Sequence, residues 1–115
     1  MIKVSWSPTG HLVNDVFKFN ISHYPGVDSV IFVAQLKTAE AGNDAFVELI
    51  NVTDDRSISE LRTGLTEETF VESRNLLDQF PDEEITLRVM IKTQYFRPYS
   101  SSIAQIKRAY LFLYR

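Results

Sequence analysis

From Ile85 to Thr93 the apolar side chains Ile85, Leu87, Val89 and Ile91 fall on every second residue and point inward, while Thr86, Arg88 and Lys92 at alternate positions point out. A period of two marks a β-strand with one face on a core and one in water; a helix would instead bring residues three and four apart to one side. The same alternation recurs from Val16 to Ile21, where Phe17, Phe19 and Ile21 oppose Lys18 and Asn20. A chain patterned this way must pair its strands and cover their inner faces with a second apolar layer.

Applied along the whole chain, the same rule yields about eight strands. Ile2 to Trp6 is stopped by Ser7-Pro8-Thr9-Gly10, and Val16 to Ile21 is closed by Tyr24-Pro25-Gly26. Val30-Ile31-Phe32-Val33, continuing to about Lys37, is apolar on consecutive residues and is expected to be buried on both faces. Ala45 to Val52 and Ser57 to Leu61 make the arms of a hairpin around Thr53-Asp54-Asp55-Arg56. Thr69 to Leu77 follows as a further strand, with a short helical turn allowed near Leu76-Leu77, and Ile85 to Thr93 comes next. In the last strand, Ile103 to Tyr114, the faces read Ile103, Ala109, Leu111 and Leu113 on one side and Ala104, Ile106, Tyr110, Phe112 and Tyr114 on the other. A strand apolar on both faces belongs in the middle of a sheet, or under a loop or another chain.

Strands of this length without helices between them predict an all-β fold, an antiparallel β-sandwich. The strand count, and the lack of the Cys, Trp, Cys framework of immunoglobulin domains, favour a jelly-roll-like arrangement. With neither linker nor repeat, residues 1–115 read as a single domain.

Composition narrows the partners. Hydrophobic residues are 44% and charged residues 23% of the 115, a globular balance that supports an ordered core. A formal net charge of −3 leaves no basic footprint for a phosphate backbone, so nucleic acid is not an expected partner. Cysteine is absent, which removes disulfides, thiolate metal sites and cysteine nucleophiles. Ile2-Lys3-Val4-Ser5-Trp6 has no signal-peptide character, so the expectation is a protein made in the cytosol and not exported by that route. No apolar run is long enough for a membrane-spanning helix, and no membrane partner is expected.

The stretch Phe46-Val47-Glu48-Leu49-Ile50-Asn51-Val52-Thr53-Asp54-Asp55, followed by Ile85-Thr86-Leu87-Arg88-Val89 and Ile106-Lys107-Arg108-Ala109-Tyr110-Leu111, resembles small jelly-roll modules of phage virion-surface proteins and bacterial carbohydrate-binding-like domains. In those modules a v-x-L-x-N-v-T-D hairpin precedes a y-x-v-x-v strand and a final a-x-L strand. The resemblance implies a binding or assembly module. It carries over no ligand residues, and this chain lacks the usual glycine in the hairpin and in the last loop.

Catalytic constellations are missing. A Ser, His, Asp arrangement needs a base beside a nucleophile, and the two histidines, His11 and His23, sit in loop-like segments without such a frame. There is no His-Glu-x-x-His, no phosphate-binding glycine loop and no calcium-loop spacing. Paired carboxylates occur at Asp54-Asp55, Glu67-Glu68 and Asp82-Glu83-Glu84, each in or beside a turn, where turn chemistry and edge protection account for them. The expectation is a protein that is not an enzyme and that uses neither cofactor nor metal. Asn20-Ile21-Ser22 and Asn51-Val52-Thr53 match the glycosylation pattern, but Asn51 immediately precedes a turn that its side chain would serve. Trp6 alternates with Ile2 and Val4 and reads as a core residue.

The segment Tyr95-Phe96-Arg97-Pro98-Tyr99-Ser100-Ser101-Ser102 is richer in aromatics than a plain hairpin requires. Tyr95, Phe96, Arg97 and Tyr99 suit a protein contact or stacking on a sugar. Together with Tyr110, Phe112 and Tyr114 they are the candidate interface residues. The first expectation is a non-enzymatic structural module acting through protein contacts or self-association, such as a capsid decoration or tail component, associated in that case with a virion. A carbohydrate-binding module using the aromatic loop to hold a glycan is the alternative, and a small carboxylate-dependent hydrolase is the third.

Overall fold

The computed structural model describes residues 2–6, 14–39, 42, 44–93 and 104–115, with backbone alone for 2–6, 14–15, 92–93 and 104–105. Eight strands run in order: β1 (Ile2–Trp6), β2 (Asn14–Phe19), β3 (Ser29–Thr38), β4 (Ala45–Asn51), β5 (Arg56–Thr63), β6 (Thr69–Glu72), β7 (Ile85–Thr93) and β8 (Ala104–Tyr114). They form two antiparallel four-stranded sheets, β1-β8-β3-β6 and β2-β7-β4-β5. β1 pairs with β8, β2 with β7, β3 with β6 and β4 with β5, as in one long hairpin rolled up so that successive pairs alternate between sheets. That order is the jelly roll. No described residue lies in an α-helix.

The inner faces interdigitate into one core. Phe32, Ala34, Leu111 and Leu113 of the first sheet meet Val47, Leu49, Leu87 and Val89 of the second, all at or near zero exposure. Phe19 closes one end of this core with its ring 5.4 Å from Phe80, edge to face, and 5.7 Å from Tyr24, stacked. Trp6 stands opposite Ala109 in the register, and its side chain lies outside the described residues.

Three departures from the sequence reading have local causes. β2 stops at Phe19 instead of Ile21, because the Asn20 side chain accepts from Ser22 N at 3.0 Å and starts a 3-10 turn over Ile21–His23. Ile21 stays buried in that turn. β6 ends at Glu72, not Leu77. Beyond it, Ser73 Oγ accepts from Phe32 N at 2.9 Å and Asn75 Oδ1 from Val30 N at 3.0 Å, so side chains take up the N–H groups of β3 while the carbonyls of Phe32 and Val30 still accept from Ser73 N and Leu76 N. A 3-10 turn follows at Leu77–Gln79, close to the helical turn expected there.

The third departure lies in β8. Gln35 pairs with Arg108 but Leu36 pairs with Ile106, which leaves Lys107 as an extra residue. A bulge of one residue shifts the strand to its other face. Ile106 therefore lies in the core at 6% exposure rather than beside Tyr110, and Ala104 pairs with the buried Thr38. Ile103 falls outside the described residues.

The β4–β5 hairpin turns on Asn51, which is fully buried. Its Oδ1 accepts from Asp54 N at 3.0 Å and its Nδ2 donates to Asp54 Oδ2 at 2.8 Å. The turn dispenses with glycine because Asp55 itself takes the left-handed conformation, at φ 52°, which Asp tolerates better than most residues. Removing the Asn51 amide leaves a half-buried N–H and a carboxylate without their partner. Asn51→Ala is expected to cost about 1–3 kcal/mol in urea unfolding at an unchanged m-value; a loss below about 0.5 kcal/mol would show that the turn does not depend on it.

Candidate functional site

β8 lies between β1 and β3, so its outer face occupies the middle of the first sheet. Beyond the Lys107 bulge, Tyr110, Phe112 and Tyr114 alternate outward while Ala109, Leu111 and Leu113 are fully buried. The three rings form a continuous row, with centroids 5.5 Å apart from Tyr110 to Phe112 and 6.3 Å from Phe112 to Tyr114. The register adds their neighbours on β3: Val33 stands opposite Tyr110, Ile31 opposite Phe112 and Ser29 opposite Tyr114. On the edge strand β6, Phe70 pairs with Gln35 and is 58% exposed, the most exposed large apolar side chain among the described residues.

Cross-strand packing of Ile31 and Val33 against these rings explains a burial that the sequence placed on both faces of β3. Val33 is 8% exposed and Ile31 half-buried, without any second layer over them among the described residues. The face is bounded by polar groups at its bulged end. There the Glu68 carboxylate accepts from Gln35 Nε2 at 3.2 Å and lies 3.6 Å from Lys107 Nζ, with Arg108 exposed beside it. The face is thus apolar and aromatic at its centre, with charged groups at its bulged end.

The outer face of the second sheet is of another kind. Lys18 lies 3.8 Å from Glu84, Arg62 lies 3.7 Å from Asp44, and Glu48 accepts from Ser57 Oγ at 2.8 Å. Val16 is exposed there and pairs with Arg88 on β7, whose other neighbour is Ile50 on β4; Phe46, Ile50 and Met90 are half-buried on this face, interleaved with the charged side chains rather than joined in a row.

Of the candidate residues, Tyr110, Phe112 and Tyr114 are brought together by the sheet. Tyr95, Phe96, Arg97 and Tyr99 lie outside the described residues, as does His11. Sequence reasoning missed Phe70, Ile31 and Val33. Two adjacent apolar residues in Phe70-Val71 were the available signal, since a strand must turn one of them outward. The carboxylate pairs take up structural contacts: Asp54 in the Asn51 turn, Glu68 across β3 and β8, Glu84 beside Lys18. His23 is exposed in its 3-10 turn. Among the described residues no three His, Cys, Asp or Glu side chains gather as a metal ion would need.

One cleft, of about 320 Å³, opens where the two 3-10 turns meet. Its walls are Ile21, Tyr24, Val27, Leu77 and Phe80, and its polar groups are Ser22 and Asp82. Gly26, at φ 83°, follows Pro25 and shapes one lip, in the conformation a type II turn requires. Nearby, Asp78 is held below the ordinary aspartate pKa by hydrogen bonds from Arg74, at 3.3 Å, and Gln79.

The chain matches no protein-family model and no curated protein. The aromatic face therefore has to be judged on its physics, and stability separates it from the core. Leu111→Ala is expected to cost about 2–5 kcal/mol. Phe112→Thr, one residue away on the outer face, is expected to cost less than about 1.5 kcal/mol, because threonine keeps the strand preference and only a partly buried ring is lost. Equal losses in chemical denaturation would make the aromatic row part of the structural core.

Proposed function

We propose that this domain is a non-enzymatic assembly module, of the kind that decorates a phage capsid or tail, and that it associates through the outer face of the β1-β8-β3-β6 sheet with a second copy of itself. The observation that carries the reading is the uninterrupted row Tyr110, Phe112, Tyr114, extended by Ile31 and Val33 on β3, with the exposed Phe70 farther out on the same face beyond Gln35. A monomer in water has no use for such a row at the centre of a sheet, where polar residues would serve the ladder as well.

The strands β1, β8, β3 and β6 hold 5, 11, 10 and 4 residues, a face of roughly 480 Å² in projection. That is the scale of a small, reversible contact rather than of an obligate interface. A flat face meeting its own copy across a two-fold axis is self-complementary by construction, the commonest route to a closed oligomer. The hairpin and strand motifs that resemble those of jelly-roll modules in virion-surface proteins agree with an assembly role.

Multi-angle light scattering tests this directly. The wild-type chain is expected to show a concentration-dependent mass at or above the dimer. Phe112→Glu is expected to give a folded monomer, because a charge buried at the centre of the contact costs several kcal/mol. A strict monomer at high concentration, or a glycan-array signal that Phe112→Glu abolishes, would overturn the reading.

A further inference from the structure

We infer that the cleft between the two 3-10 turns is a second binding site, one that takes a lysine or arginine side chain presented by a partner protein. It is built from elements other than the aromatic face and does not depend on that face being an interface. At about 320 Å³ it is large enough for one long side chain and at the lower limit for a small-molecule ligand.

Its chemistry selects a cation on an apolar stem. Val27, Leu77 and Ile21 offer a greasy wall for a methylene chain. The Tyr24 ring, which borders the cleft, stacks on Phe19 at 5.7 Å with 15° between the planes, which fixes its orientation. Aromatic rings attract a cation over their faces, and the Asp82 carboxylate stands in the same cleft as its counter-ion.

The surrounding charge points the same way. Asp82 and Glu83 are exposed and make no ion pair among the described residues. The neighbouring bases are engaged elsewhere: Arg74 on Asp78 at 3.3 Å, Lys18 on Glu84 at 3.8 Å, and Arg56 on the carbonyl of Gln79 at 2.8 Å. An anionic ligand would meet uncompensated carboxylates. A sugar, which needs several directed hydrogen bonds, would find only Ser22 and Asp82 among the lining side chains with which to make them, besides the Tyr24 hydroxyl.

Amide chemical-shift titration of the whole chain decides the matter, with N-acetyl-lysine methylamide as the probe. The uncharged N-acetyl-norleucine analogue and a methyl glucoside serve as comparators. The lysine probe is expected to shift Ser22, Tyr24, Gly26, Val27, Leu77 and Asp82 together and to saturate in the millimolar range. Asp82→Asn, an isosteric change at an exposed position, is expected to leave the spectrum of the fold intact and to weaken binding about three- to tenfold. Equal binding of the norleucine analogue, preferential binding of the glucoside, an unchanged affinity in Asp82→Asn, or no localised shifts with the lysine probe would each overturn the proposal.

Discussion

The ladder that joins Ala104–Tyr114 to Ile2–Trp6 on one side and to Ser29–Thr38 on the other makes the last strand of the chain an interior strand of its sheet. Both edges of its backbone are thereby paired, and its two faces have different surroundings. The inner one, Ala109, Leu111 and Leu113, is fully buried against the second sheet. The chain must bring its two ends together to do this, so the first and last strands hold the roll closed. Long-range pairing of this kind is slow to form, because loop closure has to precede any gain from contacts. Once formed, it places β8 where its outer side chains dominate the sheet surface.

The bulge at Lys107 divides that strand into two halves with different roles. On one side of it Ile106 turns into the core beside Leu36; on the other the alternation resets and Tyr110, Phe112 and Tyr114 come out. Lys107 and Arg108 both reach solvent at the switch, and Glu68 ties that point to Gln35. A regular strand would have put Ile106 in line with the rings and left the core short of a side chain. One inserted residue therefore fixes both where the core ends and where the aromatic face begins. On the second sheet Phe46, Ile50 and Met90 are interleaved with Lys18, Glu48, Arg62 and Arg88, so what sets the first sheet apart is the continuity of its aromatic row and not the presence of apolar residues as such.

Much of this was legible from period alone. Ile85 to Thr93 and Ile2 to Trp6 form strands with the expected bounds, and the doubly apolar β8 does run through the middle of a sheet. What escaped the sequence was set by particular side chains competing with the ladder. Asn20 capping a 3-10 turn, and Ser73 and Asn75 replacing strand hydrogen bonds to β3, end their strands early, and a period count is blind to such bonds. The bulge was hidden for a related reason: a face assignment made by alternation carries one undetected insertion through every later residue. Asn51 is the opposite case, a polar residue whose place before a turn announced its role, and it is buried holding Asp54. The aromatic row was visible as a pattern, while Phe70 comes to the same face, beside Gln35, only through the pairing of β6 with β3.

The claim on which the functional account rests is that this one sheet face is covered in the working protein. Hydroxyl-radical footprinting at low and high protein concentration measures it side chain by side chain. The account predicts that oxidation of Phe70, Tyr110, Phe112 and Tyr114 falls together as concentration rises, while Val16 and Leu65, exposed elsewhere, react as before. Unchanged reactivity of the four aromatic residues, or equal protection of Val16 and Leu65, would contradict it.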